Sequence, residues 1–320
     1  RHPPDLPPTP IEPTCFSQTV KHSEWRKAMQ AEFSALLTNH TWSLVSLPQG
    51  QRAIGCKWVF HMKTKSNGSI DMYKARLVAK GFNQREGQDY FETFSPVVKL
   101  VTIRTALALA VSKNWVIRQL DISNAFFNGT LSEEVYMVQP PGFVDPSQPL
   151  VVCRLRKSLY GLKQSPRAWY NRLTYYLIEL GFVLSKADTS LLFKYGSTFT
   201  IYILIYVDDI IVTGSSRQEV GHLLQKLQSQ FSVKDLGDLH YFLGIEVVRN
   251  GAGLHLCQSK YTRDLLTRLN LADVKPLSTP VAARSKLSKH DGSPLADASE
   301  YRSTVGALQY LTLTRPDIQY

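Results

Sequence analysis

Cysteine is scarce in this sequence: 320 residues hold four, Cys15, Cys56, Cys153 and Cys257. They lie far apart with no CxxC pair, which argues against a zinc module and a disulfide-stapled secreted domain. Long apolar runs are missing too. The longest, 200–207, is too short to span a bilayer and ends in two aspartates, so no membrane association is expected. No secretory signal peptide is recognisable. Acidic residues are in deficit, 26 against 37 Lys plus Arg, for a net charge of +11. That excess suits a polyanionic partner such as nucleic acid. The eight histidines are scattered without metal-ligand spacing. What is present is a globular composition, 43% hydrophobic and 20% charged. The length suffices for two or three packed subdomains. The chain begins at Arg1 rather than Met, and a piece of a longer protein is expected.

Six prolines within residues 1–13 predict an extended linker. Ser23 reads as an N-cap, with Trp25, Met29, Phe33, Leu36 and Leu37 following at helical spacing. Strand-like runs at 57–63 and 70–79 flank Asn67-Gly68, a pair suited to a type I′ hairpin turn. This hairpin is basic, and strand alternation puts Lys74 and Arg76 on one face. A buried helix is predicted over 102–111 and a strand over 116–122, ending in Asp121. Ser165-Pro166 reads as N-cap and N1 of a helix that Gly181 ends. Strands follow at 191–194, 199–207 and 210–213, then an amphipathic helix over 217–231 and a last strand over 240–248. The tail reads as two helices, 261–269 and 301–313. The fold class is α+β, and the order β-α-β-β-α-β across 116–248 is a split-βαβ pattern: an antiparallel sheet backed by two helices.

Tyr206-Val207-Asp208-Asp209 is the sharpest feature. Seven apolar residues lead into two adjacent carboxylates, and apolar residues resume at once. An unpaired carboxylate inside a buried strand is very costly, so the pair needs water or cations. Asp121 also ends an apolar strand. In a split-βαβ sheet the first and central strands lie side by side, which lets Asp121 meet Asp208. Three carboxylates on one sheet edge suit two Mg²⁺ ions, with Mn²⁺ an alternative, because magnesium prefers a few carboxylates plus substrate phosphates. Two metals ~4 Å apart clamp the attacking and leaving oxygens of an in-line displacement, which is phosphoryl-transfer chemistry. The competing reading is a polar hairpin turn, where Asp is common.

At these residues the chain resembles the reverse transcriptase of Ty1/copia-type LTR retrotransposon Pol polyproteins, most like those of plants. The resemblance rests on YKARLVAKGFNQ (73–84), LDISNAF (120–126), EVYMVQPPGF (134–143), LYGLKQSPRAWY (159–170), YVDD (206–209), DLGDLHYFLGIEV (235–247) and YRSTVGALQYLTLTRPDI (301–318). It implies a right-hand polymerase that copies RNA and DNA templates from deoxynucleotides onto a primer. The implied division is a linker at 1–22, fingers at 23–115, a palm at 116–253 and truncated thumb- or connection-like helices at 254–320.

The resemblance also implies roles. Asp121 and Asp208 are the main metal ligands, with Asp209 assisting. Phe126 closes the floor of the sugar pocket, where a large ring clashes with a 2′-hydroxyl. Arg76, with Lys74 as backup, meets the triphosphate, whose oxygens its planar fork matches. Gln164, Ser165 and Pro166 open the helix that supports nucleotide and template. Lys163 and Arg167 stand beside that helix end, which favours anions. Leu243 and Gly244 form the hairpin that grips the primer end. Where many relatives carry Lys, this chain has Ser123. No acidic set resembling RNase H follows within the sequence, and no protease or integrase signature precedes, so a fragment or truncated element copy is expected. The implied partners are primed template, dNTPs and other parts of the polyprotein. The implied setting is a cytoplasmic virus-like particle with delivery to the nucleus. A non-catalytic nucleic-acid-binding remnant is the alternative; a two-metal nuclease fits the fingers cations and Phe126 less well.

Overall fold

The computed structural model describes residues 12–64, 69–251, 253–277, 292–293 and 295–319. Residues 1–11 of the expected linker and the Asn67-Gly68 turn lie outside them. In chain order the elements are α1 (Phe16–Thr19), α2 (Ser23–Thr38), β1 (Trp42–Val45), β2 (Cys56–Thr64), β3 (Ile70–Ala79), α3 (Leu100–Ser112) and β4 (Val116–Ile122). Then come β5 (Thr130–Met137), β6 (Val152–Lys157), α4 (Ser165–Glu179), β7 (Val183–Leu184), β8 (Leu191–Tyr195), β9 (Thr200–Tyr206) and β10 (Asp209–Gly214). The chain continues through α5 (Arg217–Gln230), β11 (Val233–Asp238), β12 (Tyr241–Phe242), β13 (Ile245–Asn250), β14 (Gly253–Cys257), α6 (Ser259–Arg268) and α7 (Ser299–Leu311). The α+β composition is as the sequence implies.

A six-stranded antiparallel sheet, ordered β11-β4-β10-β9-β8-β7, is the frame. Alternation along its strands feeds two cores. Ile203, Ile205, Ile210 and Val212 pack with Trp169, Leu173 and Leu177 of α4 and with Val220, Leu223 and Leu227 of α5. Leu204 and Ile211 face the other way, onto Ile103, Leu107 and Ala110 of α3 and onto Phe242 and Val247. Burial on both faces explains why β9 and β10 read as continuous apolar runs. The sequence reading supplies two backing helices; the structure adds α3 on the second face.

Smaller sheets flank this frame. β2 and β3 form the expected hairpin, paired from Cys56↔Ala79 to Thr64↔Ile70. Its buried side chains share a core with Trp25, Met29 and Leu36 of α2 and with β5 and β6. β1, β6 and β5 form a three-stranded sheet. The sequence reading places no strands there.

Two local expectations are corrected. The fourth strand of the split-βαβ set is β11, paired to β4, and not 240–248. That segment breaks at Leu243-Gly244, where both residues have positive φ (51° and 72°), and forms a separate sheet with β14. β11 is legible only once Arg118 is seen bonding Asp235 at 2.5 Å, which ties the polar strand to β4. Second, Ser165 is the first residue of α4 rather than its cap. Its Oγ donates to the Leu159 carbonyl at 2.6 Å, while Pro166 holds the early helical position expected of it. Likewise Ser23 begins α2, with His22 at the N-cap. Ser216, by contrast, caps α5 by accepting from the Glu219 amide. The strand beside β4 is β10, the short strand that follows the acidic turn.

Candidate active site

β9 and β10 pair from Tyr206↔Asp209 outward, so the connection is a two-residue turn, Val207-Asp208. Val207 has φ +56°. A β-branched residue in this left-handed region is strained, by roughly 1–3 kcal/mol, and persists only where its surroundings hold it. Trp169 supplies that hold. Its indole N–H donates to the Val207 carbonyl at 2.7 Å, and its ring is almost fully buried in the core beneath the sheet.

The turn brings the three predicted carboxylates to one edge. Asp209 is the direct cross-strand partner of Asp121. The Ile122 amide donates to the Asp208 carbonyl at 2.9 Å, which binds the turn to the end of β4. Burial, followed by repulsion from Asp208 and Asp121, pushes the Asp209 carboxyl up to about 6. Among the described residues, no three His, Cys, Asp or Glu side chains close on one another tightly enough to cage a metal ion. A complete cage is not what magnesium requires, since substrate phosphates and water fill most of its coordination. The crowded, mutually repelling carboxylates at this edge are a donor set that a divalent cation relieves.

Beside this edge lies an aromatic cluster with a cation over it. Asn124 takes φ +54° and starts a short 3-10 turn, Ala125–Asn128, that carries Phe126. Ser158 Oγ donates to the Phe126 carbonyl and secures the turn. The Phe126 ring meets Tyr160 edge-on, centroids 4.8 Å apart, with Phe127 behind at 5.9 Å. The Arg76 guanidinium stacks over the same Tyr160 ring at 4.7 Å. Tyr160 is held against β3 by its own carbonyl, which accepts from the Ala79 amide at 2.7 Å. Gly161 allows this approach: its φ is +89°, and a Cβ there collides with the Ala79 carbonyl oxygen. Burial raises the Tyr160 phenol, Arg76 opposes the rise, and Asp208, Glu32 and Asp121 add to it. Lys74 is lowered by burial and then by Arg76 and Lys63, with Glu32 and Asp121 pulling the other way. Arg76, Tyr160 and the carboxylates therefore share one electrostatic neighbourhood.

The other expected residues are engaged with partners of their own. Gln164 is buried with both ends of its amide engaged: Oε1 accepts from Gln84 Nε2 at 3.0 Å, and Nε2 donates to the Asp89 carbonyl at 2.8 Å. Lys163 Nζ bonds the Tyr90 hydroxyl at 3.0 Å and sits over that ring. Arg167 donates to the Phe94 carbonyl at 3.0 Å and pairs with Glu92. These residues tie the start of α4 to the segment between β3 and α3. Leu243 and Gly244 form the β12–β13 turn, against which Tyr310 of α7 packs and bonds the Leu243 carbonyl.

Sequence reasoning missed Tyr160 as a site residue and Trp169 as the support of the turn. Tyr160 lies inside the LYGLKQSPRAWY motif, and the adjacent Gly161 was the available signal of close backbone approach. Trp169 sits in the apolar stripe of α4, where nothing in the sequence separates a core ring from one whose N–H has a specific task.

Strand-end carboxylates thus share one end of an antiparallel sheet with a cation stacked on an aromatic cluster. The chain belongs to the reverse transcriptase (RNA-dependent DNA polymerase) family, whose pattern matches residues 39–283. It is 54% identical over 310 residues to the retrovirus-related Pol polyprotein from transposon RE2 of Arabidopsis thaliana, and 53% identical to that from transposon RE1. The Pol polyprotein from transposon TNT 1-94 of Nicotiana tabacum is 40% identical over 322 residues. These alignments cover 97% of this chain but only 21%, 21% and 24% of those proteins.

Proposed function

We propose that the chain carries out RNA- and DNA-templated DNA synthesis, transferring nucleotidyl groups from dNTPs to a primer 3′-hydroxyl within a copia-type Pol polyprotein. One observation carries the reading: Asp121 and Asp209 are cross-strand partners, and Asp208 sits in the turn stitched to the same strand end. Asp121 and Asp208, with Asp209 assisting, are the residues to hold divalent metal, Mg²⁺ or Mn²⁺. When bound, two such ions neutralise phosphate charge and steady the attacking and leaving oxygens.

The chain's own side chains do the remaining work. Arg76, pre-stacked on Tyr160, presents its free fork to the triphosphate, and Lys74 adds a second cation. Phe126, buttressed by Tyr160, fills the space a 2′-hydroxyl needs and so selects deoxynucleotides. Lys163, Gln164, Ser165, Pro166 and Arg167 serve nucleotide and template from beneath, by fixing the start of α4 against the preceding segment. The Leu243-Gly244 turn lies against the primer end. In this reading 23–115 are fingers, 116–253 palm and 254–320 thumb- or connection-like helices in a right-hand arrangement, with 1–22 as linker. Template, primer, dNTPs and the rest of the polyprotein are the partners, in a cytoplasmic virus-like particle that delivers its product to the nucleus. No helix among the described residues is long and apolar enough to cross a membrane.

Primer extension on RNA and DNA templates tests the proposal. Stepwise, dNTP-dependent products that vanish with a chelator and return with Mg²⁺ or Mn²⁺ support it. Salt-sensitive primer-template binding without extension in either metal overturns it in favour of a non-catalytic remnant.

A further inference from the structure

β3 is an edge strand, and the groups that cover its open edge are informative. The Ala79 amide points outward to the Tyr160 carbonyl. Two residues earlier, the Leu77 amide acts on the carboxylate of Glu32 on α2 and favours its charged form. Arg76 lies between these two contacts and stacks on Tyr160. Glu32 is 9% exposed, and its Oε1 has no hydrogen-bond partner. Arg76 Nε is likewise buried and unpartnered. These two are the only buried side-chain nitrogen or oxygen atoms without a partner among the described residues. One is an acceptor and the other a donor, and the two side chains interact electrostatically. Buried polar atoms are rarely left unpaired, because each gives up its hydrogen bonds to water without a replacement.

We propose that Glu32 is a positioning residue for Arg76, closing its Oε1 on the guanidinium Nε–H when a deoxynucleoside triphosphate engages the outer N–H groups. This rests on the assignment of Arg76 to the triphosphate. The guanidinium offers two faces of use: the outer fork goes to phosphate oxygens, and Nε–H points back into the protein. With the Tyr160 ring on its flat side and Glu32 on its Nε–H, Arg76 is held in two directions, which favours binding of a planar, bidentate partner. Glu32 also faces the Leu77 amide, to which an uncharged carbonyl oxygen is an equally good neighbour. Glu32→Gln therefore separates the two: it keeps an acceptor for the edge amide and removes the charge that closes on Nε–H.

Ternary-complex formation measures this without turnover. A dideoxy-terminated primer on a templating dA is titrated with dTTP and Mg²⁺, and complex is scored by gel shift. Glu32→Gln weakens dTTP binding about tenfold, the size of one lost charge-assisted hydrogen bond, while primer-template affinity is kept and the melting temperature does not fall. Glu32→Asp, which withdraws the carboxylate by one methylene, weakens binding as well and serves if the first variant fails to fold. Arg76→Lys removes Nε altogether, so adding Glu32→Gln to it changes dTTP affinity less than about twofold. A carboxylate acting only through its field gives the opposite sign: Glu32→Gln then tightens dTTP binding, by the same factor in both backgrounds. That result, or no effect of Glu32→Gln while Arg76→Lys weakens binding, overturns the role of Glu32 alone. Arg76→Lys binding dTTP like wild type overturns the assignment of Arg76 and this inference together.

Discussion

Glu32 illustrates how a site is held at the expense of stability. Burial is the main cause that lifts its carboxyl from 4.5 to about 7, only partly offset by the Leu77 amide, Arg76 and Lys74. The folded protein thus keeps this proton longer than the unfolded chain does. Below about pH 4.5 both states are protonated and no penalty arises. Between about 4.5 and 7 the unfolded chain ionises first, and folded stability falls; above that the penalty is constant. Glu32→Gln cannot ionise, so at pH 8 it is more stable than wild type by on the order of 3 kcal/mol. The two proteins match at pH 4. Denaturant melts at both pH values check this, and a variant less stable at pH 8 contradicts it. Phe126 carries a second residue-scale prediction. Phe126→Ala opens the sugar pocket and raises ribonucleotide use relative to deoxynucleotide by about 10- to 100-fold. Competitive single-nucleotide incorporation reads the ratio, and an unchanged ratio removes Phe126 from sugar selection.

At the scale of elements, the acidic turn is as much a product of α4 as of β9 and β10. Val207 is held in a left-handed conformation, and among the described residues the one side-chain hydrogen bond to its carbonyl comes from Trp169. Trp169→Phe keeps most of the buried ring and deletes that donor. It lowers stability by about 1–2 kcal/mol and kcat about tenfold, while dNTP KM changes little. Equal losses in KM and kcat contradict a role confined to the turn. The elements also show what the sequence makes legible. β9, β10 and α5 announce themselves because two apolar faces, or one face and a capping Ser216, leave a simple period. β5 and β6 are hidden because β5 opens on exposed and half-exposed positions, Glu134 and Glu133 among them, before its buried end. β11 is hidden by a bulge between Asp235 and Gly237 and by acids whose partner, Arg118, is more than a hundred residues earlier. The three aspartates are readable because a carboxylate at the end of an apolar strand is conspicuous. Glu32 and Tyr160 are not, since each resembles an ordinary helix or loop residue until β3 is placed beside it.

For the whole molecule, charge is divided by task. Residues 1–115 contain 15 basic and 8 acidic residues, residues 116–253 contain 13 and 12, and residues 254–320 contain 9 and 6. The near-neutral middle carries the carboxylates; the excess positive charge lies to either side, where triphosphate and duplex backbone are proposed to sit. Primer-template affinity accordingly falls by about 10³-fold or more between 50 and 200 mM salt, as for proteins that neutralise six or more phosphates. A nearly salt-independent affinity contradicts that assignment of the charge. The central claim concerns chemistry at the sheet edge rather than binding, and Asp208→Asn separates the two. Single-turnover incorporation of one dNTP on an RNA template, measured with Mg²⁺ on wild type and variant, tests it most directly. The account predicts a rate loss of about 10³-fold or more, several kcal/mol of lost charge stabilisation, with primer-template affinity within about twofold of wild type. An Asp208→Asn protein that still incorporates at near the wild-type rate contradicts it.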